Sequence, residues 1–225
     1  MPKLALSVVG MDEEDLVAFT CAQIANFFPD RKNADNAALV RAHLPAAMAW
    51  LAPIAAKAVH WNPVALDPLS SSQYCQFLYV LANTIWKATG NEALPTKLFL
   101  LNKALHGIDL FFKVEMPPIF IIGHAVGIVL GRAKYGNYFV AFQNSTVGRV
   151  GDDIPTLGEC VVMFPNSAIV GRSRVGDFTV LSQGTSLVNT DLPGNMTYWG
   201  QGGTLSSKAG RPGIYRHYFR DVGFL

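Results

Sequence analysis

From Leu157 to Leu187 the chain reads LGECVVMFPNSAIVGRSRVGDFTVLSQGTSL. Leu157, Met163, Ile169, Val175, Leu181 and Leu187 recur at every sixth position, and four places after each of the first five stands a small residue: Val161, Ser167, Ser173, Thr179 or Thr185. A period of six matches neither the 3.6 of a helix nor the 2 of an alternating strand. It suits a parallel β-helix in which each hexapeptide forms one flat side of a triangular coil, three sides closing a turn of about 18 residues. The six aliphatic residues are expected to stack along one interior line. The small residues belong near the corners, where a larger side chain would collide with the coil above. Gly158 and Gly176, each following an aliphatic residue, suit places where the backbone bends.

Upstream, Tyr135, Ala141 and Val147 continue the lattice less cleanly. Between Val147 and Leu157 the spacing is ten, so four extra residues must leave the prism. A loop is therefore expected at Arg149 to Thr156. After Leu187 the lattice dissolves into Asn189-Thr190-Asp191-Leu192-Pro193-Gly194. The remaining tail, rich in Gly, Ser and aromatics, can cap the last coil, whose strand edges would otherwise be unpaired.

The first half has a different texture. Met1 to Gly10 is a short apolar segment; Asp12, Glu13, Glu14 and Asp15 then suit the first turn of a helix, with Leu16, Phe19, Gln23, Ile24 and Phe27 on its apolar face until Pro29-Asp30. Asp35 to Ala58 reads as helix with Leu39, Ala42, Ala46, Ala49 and Trp50 near one face, kinked or divided by Pro45 and Pro53. Trp61 to Pro68 is a connector. Ser70 or Ser71 caps a third helix carrying Tyr74, Phe77, Leu78, Leu81 and Ile85 and ending at Gly90. Pro95 opens a fourth with Leu98, Leu101, Leu105 and Ile108. The chain thus reads as α+β: a helical N-terminal domain over residues 1–113, a β-helix over 114–200 and an irregular tail over 201–225.

Composition narrows the function. Half of the 225 residues are hydrophobic, enough for a real core. Only 15% are charged and the net charge is +2, which argues against nucleic acid. Apolar runs are interrupted well before the roughly 20 residues of a membrane span, and Leu4 to Val9 is short for a signal-peptide core. Cys21, Cys75 and Cys160 are odd in number and lack CxxC spacing, which fits buried, reduced thiols in a cytoplasm.

Among the histidines, His43, His60 and His217 read as surface or satisfied-core residues, and His106 sits on a helix near the domain boundary. His124 differs. Gly123-His124-Ala125-Val126-Gly127 puts an imidazole at the start of the β-helix between small residues that leave room for a substrate. A zinc site of the β-helix hydratase kind needs three converging histidines, and the repeat region offers one, so no metal is expected.

The segment Gly123-His124-Ala125-Val126-Gly127-Ile128-Val129-Leu130-Gly131 resembles the Asp-His-Ala-Thr-Gly-Val-Val-Ile-Gly segment of serine acetyltransferases, in the same order relative to the hexapeptides. Leu101-Asn102-Lys103-Ala104-Leu105 resembles that family's helix leading into the prism. The resemblance implies a left-handed β-helix acyltransferase that uses acetyl-coenzyme A, needs no metal and assembles as a homotrimer, with further association through the helical domain open. It also implies His124 as general base, an oxyanion site at backbone N–H groups near Gly148, and a pantetheine track along Ser167, Ala168, Gln183, Gly184 and Thr185.

The departures bear on the acceptor. Family members carry Gly-Asp-Arg-His-Pro in the protruding loop, where Arg and His hold the serine carboxylate; here it is Gly151-Asp152-Asp153-Ile154-Pro155. Asp153 reverses that charge and should repel a carboxylate. Gly123 replaces the Asp before the histidine. Val114-Glu115-Met116-Pro117 stands where the family has Val-Asp-Ile-His-Pro, so Glu115 is the candidate to orient His124, or else a surface carboxylate. The expectation is acetyl transfer to an amine or hydroxyl of a sugar or nucleotide-linked sugar, in the cytoplasm, with serine O-acetylation as one alternative and a non-catalytic scaffold as another.

Overall fold

The computed structural model describes residues 6–211 and 213–220. What was expected of Met1 to Ala5 and of the last five tail residues lies outside the described residues.

Four helices come first: α1 (Glu13–Phe27), α2 (Asn33–Lys57), α3 (Ser71–Thr89) and α4 (Ala93–His106). Asp12 and Asp15 form a reciprocal capping box at the start of α1, so the acidic cluster does cap that helix. Gly90 and Gly107, at φ 69° and 66°, end α3 and α4 in the left-handed conformation that glycine tolerates best. Pro45 and Pro53 do not divide α2, which runs 25 residues without a break. Each proline removes a helical hydrogen bond, and the burial of Val40, Leu44, Ala47, Met48, Leu51, Ile54 and Ala55 offsets the loss. That buried face is rotated from the expected one, since Ala42, Ala46 and Ala49 are exposed. In an Ala-rich helix the larger Leu, Met and Ile side chains gain more from burial and set the orientation. By length and composition α2 is long and apolar enough to cross a membrane, contrary to the reading of the apolar runs; its Arg41 is paired with Glu14 of α1 at 2.8 Å.

A short parallel pair, β1 (Ser7–Val8) with β2 (Ala65–Leu66), ties the segment before α1 to the α2–α3 connection. The prism follows as β3 (Phe120–Gly123), β4 (Val129–Leu130), β5 (Phe139–Phe142), β6 (Thr146–Gly148), β7 (Thr156–Leu157), β8 (Val162–Met163), β9 (Ala168–Val170), β10 (Arg174–Val175), β11 (Val180–Leu181), β12 (Ser186–Val188), β13 (Asp191–Leu192) and β14 (Met196–Trp199). Every pair among them is parallel. The first face holds β3, β5, β8, β11 and β14, the second β4, β6, β9 and β12, the third β7, β10 and β13. This is a parallel β-solenoid of about 4 turns.

The hexapeptide lattice is therefore real, but its aliphatic residues do not share one interior line. They fall on three: Met163 under Leu181 on the first face, Ile169 under Leu187 on the second, Leu157 under Val175 on the third. Six residues fill one side, so vertical neighbours come from every third repeat. Val162 pairs with Val180, eighteen residues on, whereas Val140 pairs with Val162 across the four extra residues that the loop removes from the coil.

The small corner residues do more than avoid collision. Ser167 Oγ donates to the Phe164 carbonyl, Ser173 Oγ to Val170, Thr179 Oγ1 to Gly176 and Thr185 Oγ1 to Ser182, at 2.7–2.8 Å. Each hydroxyl donates to the carbonyl three residues back and so helps to hold the bend closed. Gly158 and Gly176 serve close approach: a Cβ on Gly176 would stand 2.4 Å from the Gly194 nitrogen one coil above.

The three faces differ outside. On the third, Arg174 and Asp191 are exposed. On the first, Val140, Val162 and Val180 are buried outward as well as inward, because the tail covers them with Tyr215 and Phe219. The tail is thus more ordered than expected: β15 (Ser206–Ala209) pairs antiparallel with β14 and caps the last coil, and the chain then runs back down the first face to α2, where Phe219 bridges Ala58. The second face, with Val129, Thr146, Ala168 and Ser186 in one outward column and Gly148, Val170 and Val188 in the next, carries no charged residue in its strands.

Candidate active site

A regular corner between the first and second faces has three residues. They are Gln143-Asn144-Ser145, Pro165-Asn166-Ser167 and Gln183-Gly184-Thr185 in successive coils, with the middle residue at φ 59°, 61° and 75°. The first coil is different. Gly123 pairs with Phe142 and Val129 with Thr146, so residues 124–128 occupy the space that 143–145 fill one coil higher. Two additional residues must bulge outward, and His124 begins the bulge, exposed and at φ 52°. A non-glycine residue there costs of order 1 kcal/mol or more. Gly127, at φ 73°, completes the bend where a Cβ would meet the Asn144 side chain at 2.0 Å.

Gly123, expected near the substrate, has a steric role that explains its departure from the family pattern. A Cβ at this position would lie 2.7 Å from the Phe142 ring, itself stacked on Phe164 at 5.6 Å between centroids. Phe142 also lies 6.3 Å from the His124 ring.

His124 lines a cleft of about 340 Å³ between the helical region and the prism, together with Ala58, His60, Trp61, Ser70, Ser72, Gln73, Ile121, Ile122, Gly123, Phe142 and Tyr218. No Asp, Glu, Lys or Arg is among these lining residues. His60, Phe142 and Tyr218 were not expected there. His60 follows a helix with no local signal of its own, and Tyr218 arrives from the tail. One signal was available: Val140-Ala141, Val162-Met163 and Val180-Leu181 are consecutive apolar residues, which announces a face covered on both sides.

The other candidates fall in three places. Ser167, Ala168, Gln183, Gly184 and Thr185 stand on the same prism edge as His124, two and three coils above it, about 10–14 Å at a strand spacing of roughly 4.8 Å. The hydroxyls of Ser167 and Thr185 are buried and spent on their own corners, whereas Ala168, Gln183 and Gly184 reach the surface. Gly148 ends β6, at the opposite border of the second face from His124. Asp153 lies in the protruding loop beyond that border, exposed, its backbone exchanging two 3.0 Å hydrogen bonds with Val150. Within one chain neither is brought to His124.

The pairing expected between Glu115 and His124 is likewise not formed within the chain. Glu115 is bonded to Lys87 at 2.5 Å near the end of α3, while the His124 cleft borders Ser72 at its start. Fifteen helical residues separate the two, about 22 Å.

Other reactive groups are structural. His106 Nδ1 donates to Asn102 Oδ1 at 2.8 Å and packs edge-on against Tyr74, with burial lowering its pKa. His43 Nδ1 donates to the Leu39 carbonyl. Burial pushes the Cys160 thiol up to about 12, so it holds no thiolate for covalent attack. Among the described residues no group of three or more His, Cys, Asp or Glu is placed to hold a metal.

No protein-family model matches the chain, and no curated protein matches it by sequence. Solved structures do resemble it. A serine acetyltransferase in complex with CoA superposes with a TM-score of 0.67 at 18% identity, covering 88% of this chain and 86% of that one. A serine acetyltransferase from Brucella abortus gives 0.67 at 16%, covering 88% and 84%. One from Entamoeba histolytica in complex with L-cysteine gives 0.59 at 17%, covering 81% and 74%. At these identities the likeness is one of fold: a helical N-terminal part followed by a left-handed β-helix.

Proposed function

We propose that the chain is an acetyl-coenzyme A-dependent acetyltransferase in which His124 is the general base. The observation that carries this reading is the widened corner. It exposes one imidazole at a cleft and sets it on the same edge as Ala168, Gln183 and Gly184, which reach the surface and suit a pantetheine arm. In the reaction, the neutral ring of His124 takes the proton from the acceptor hydroxyl or amine as that atom attacks the thioester carbonyl. The carbon–sulfur bond breaks, the thiolate leaves without needing strong help, and the imidazolium of His124 gives up its proton to form the thiol.

The fold likeness favours serine as acceptor, since the similar structures are those of serine acetyltransferases. A second reading rests on the cleft, whose lining residues are aliphatic, aromatic or neutral polar apart from two imidazoles. That lining suits an uncharged hydroxyl or amino group of a sugar, including a nucleotide-linked one, better than a carboxylate.

A homotrimer completes the proposal. The first face is covered by the tail and the third is charged, which leaves the small, uncharged second face for a copy of the chain. Gly148 lies on that face and Asp153 at its border, so both would act on a neighbour's His124. We assign the enzyme to the cytoplasm, in keeping with three unpaired cysteines.

The test is thiol release from acetyl-coenzyme A with L-serine and with a panel of amino sugars. Release with serine alone selects the first acceptor, and release with a sugar alone selects the second. Neither release nor coenzyme A binding would leave a scaffold.

A further inference from the structure

His60 sits just before the connector that the sequence places at Trp61 to Pro68, and its backbone is pinned on both sides. Val59 N–H donates to the Tyr218 carbonyl at 2.8 Å, and Arg220 N–H to the Lys57 carbonyl at 2.7 Å. The Arg220 guanidinium then reaches four carbonyls. Nη1 donates to Ala55 at 3.3 Å and Ala56 at 3.5 Å, and Nη2 to Val59 at 2.7 Å and Trp61 at 2.9 Å.

Two of these are carbonyls from the last turn of α2, which have no helical partner and favour a cation. The other two flank His60. One side chain from the far end of the sequence therefore fixes the residues before and after this histidine, while the histidine ring stays exposed and lines the cleft that His124 lines from the prism. The same strap delivers Tyr218 to that cleft.

We propose that His60 is the acceptor-binding imidazole of the His124 site and that Arg220 is the residue that positions it. The inference rests on the acetyltransferase reading. A neutral imidazole presents one donor and one acceptor, so the site takes an acceptor with two polar groups: the attacking hydroxyl or amine at His124 and a second hydroxyl or amine at His60. The acetyl donor, on the prism edge, does not touch it.

Steady-state kinetics with L-serine and with glucosamine as acceptors test this. His60→Ala should raise the acceptor KM about tenfold, equivalent to roughly 1.4 kcal/mol, and leave the acetyl-coenzyme A KM unchanged. Arg220→Ala should give the same split and Arg220→Lys a smaller one. An unchanged acceptor KM in His60→Ala, or an equal rise for donor and acceptor, overturns the proposal. Should Arg220→Ala fail to fold, ethoxyformylation of the unaltered protein decides. Protection of His60 by L-serine or glucosamine, but not by coenzyme A alone, supports the assignment, and equal modification with or without them overturns it. If the unaltered protein neither acetylates an acceptor nor binds coenzyme A, the acetyltransferase reading falls together with this one. If His124→Asn is inactive while His60→Ala is normal, only this one falls.

Discussion

Gln76 closes the open edge of the prism at Ile122: the Ile122 N–H donates to Gln76 Oε1 at 3.0 Å, and Gln76 Nε2 donates to the Phe120 carbonyl at 3.1 Å. One fully buried amide on α3 thus replaces the strand that a lower coil would have supplied. Tyr79 and Asn83, on the same face of α3, do likewise for the preceding segment at the carbonyls of Val114 and Phe112. This polar stripe welds the helices to the first coil. Gln76→Met preserves the volume and deletes both bonds, so it should lower stability by about 1–3 kcal/mol, the cost of leaving buried backbone groups unpaired. Urea denaturation measures it, and an unchanged midpoint would show that the edge is satisfied otherwise.

Ile169 is wholly buried between Val147 below and Leu187 above. An Asp there leaves an unpaired charge in the second interior line, at a cost of more than about 4 kcal/mol. Ile169→Asp should be insoluble or unfolded by circular dichroism. A soluble, cooperatively melting variant would contradict the stacking.

His106 should make stability fall in mild acid. Burial lowers its folded pKa, so above the unfolded value of about 6.5 both states are neutral and nothing is lost. As pH falls from there toward the lowered folded value, the unfolded chain binds a proton that the folded one refuses, and stability declines. Thermal melts of the parent should show this slope. In His106→Gln this part of the slope should disappear.

His124→Asn should reduce turnover by about 10²–10⁴-fold with the melting temperature and the acetyl-coenzyme A KM nearly unchanged, because the ring is exposed and the donor track lies on higher coils. Near-normal turnover by the folded variant would remove His124 from the mechanism.

What the sequence determined by itself was whatever depends on near neighbours along the chain. The spacing of Leu157, Met163 and Ile169 dictates a prism, since only a three-sided coil buries every sixth residue. The ten-residue gap before Leu157 dictates the loop, and Gly90 dictates a helix end. His124 was legible for the same reason, as glycines on both sides of one imidazole form a local pattern. Tertiary structure decided the rest, because it depends on residues that meet only when distant segments pack. The sequence allowed Glu115 to pair with His124, but in the fold Glu115 meets Lys87 near the end of α3 instead. The face of α2 turned away from its alanines because burial against α1 and α3 rewards larger side chains. No periodicity announces that Arg220 will hold the carbonyls around His60, for a guanidinium finds unpaired carbonyls through space, and only the return of the tail along the first face brings them together.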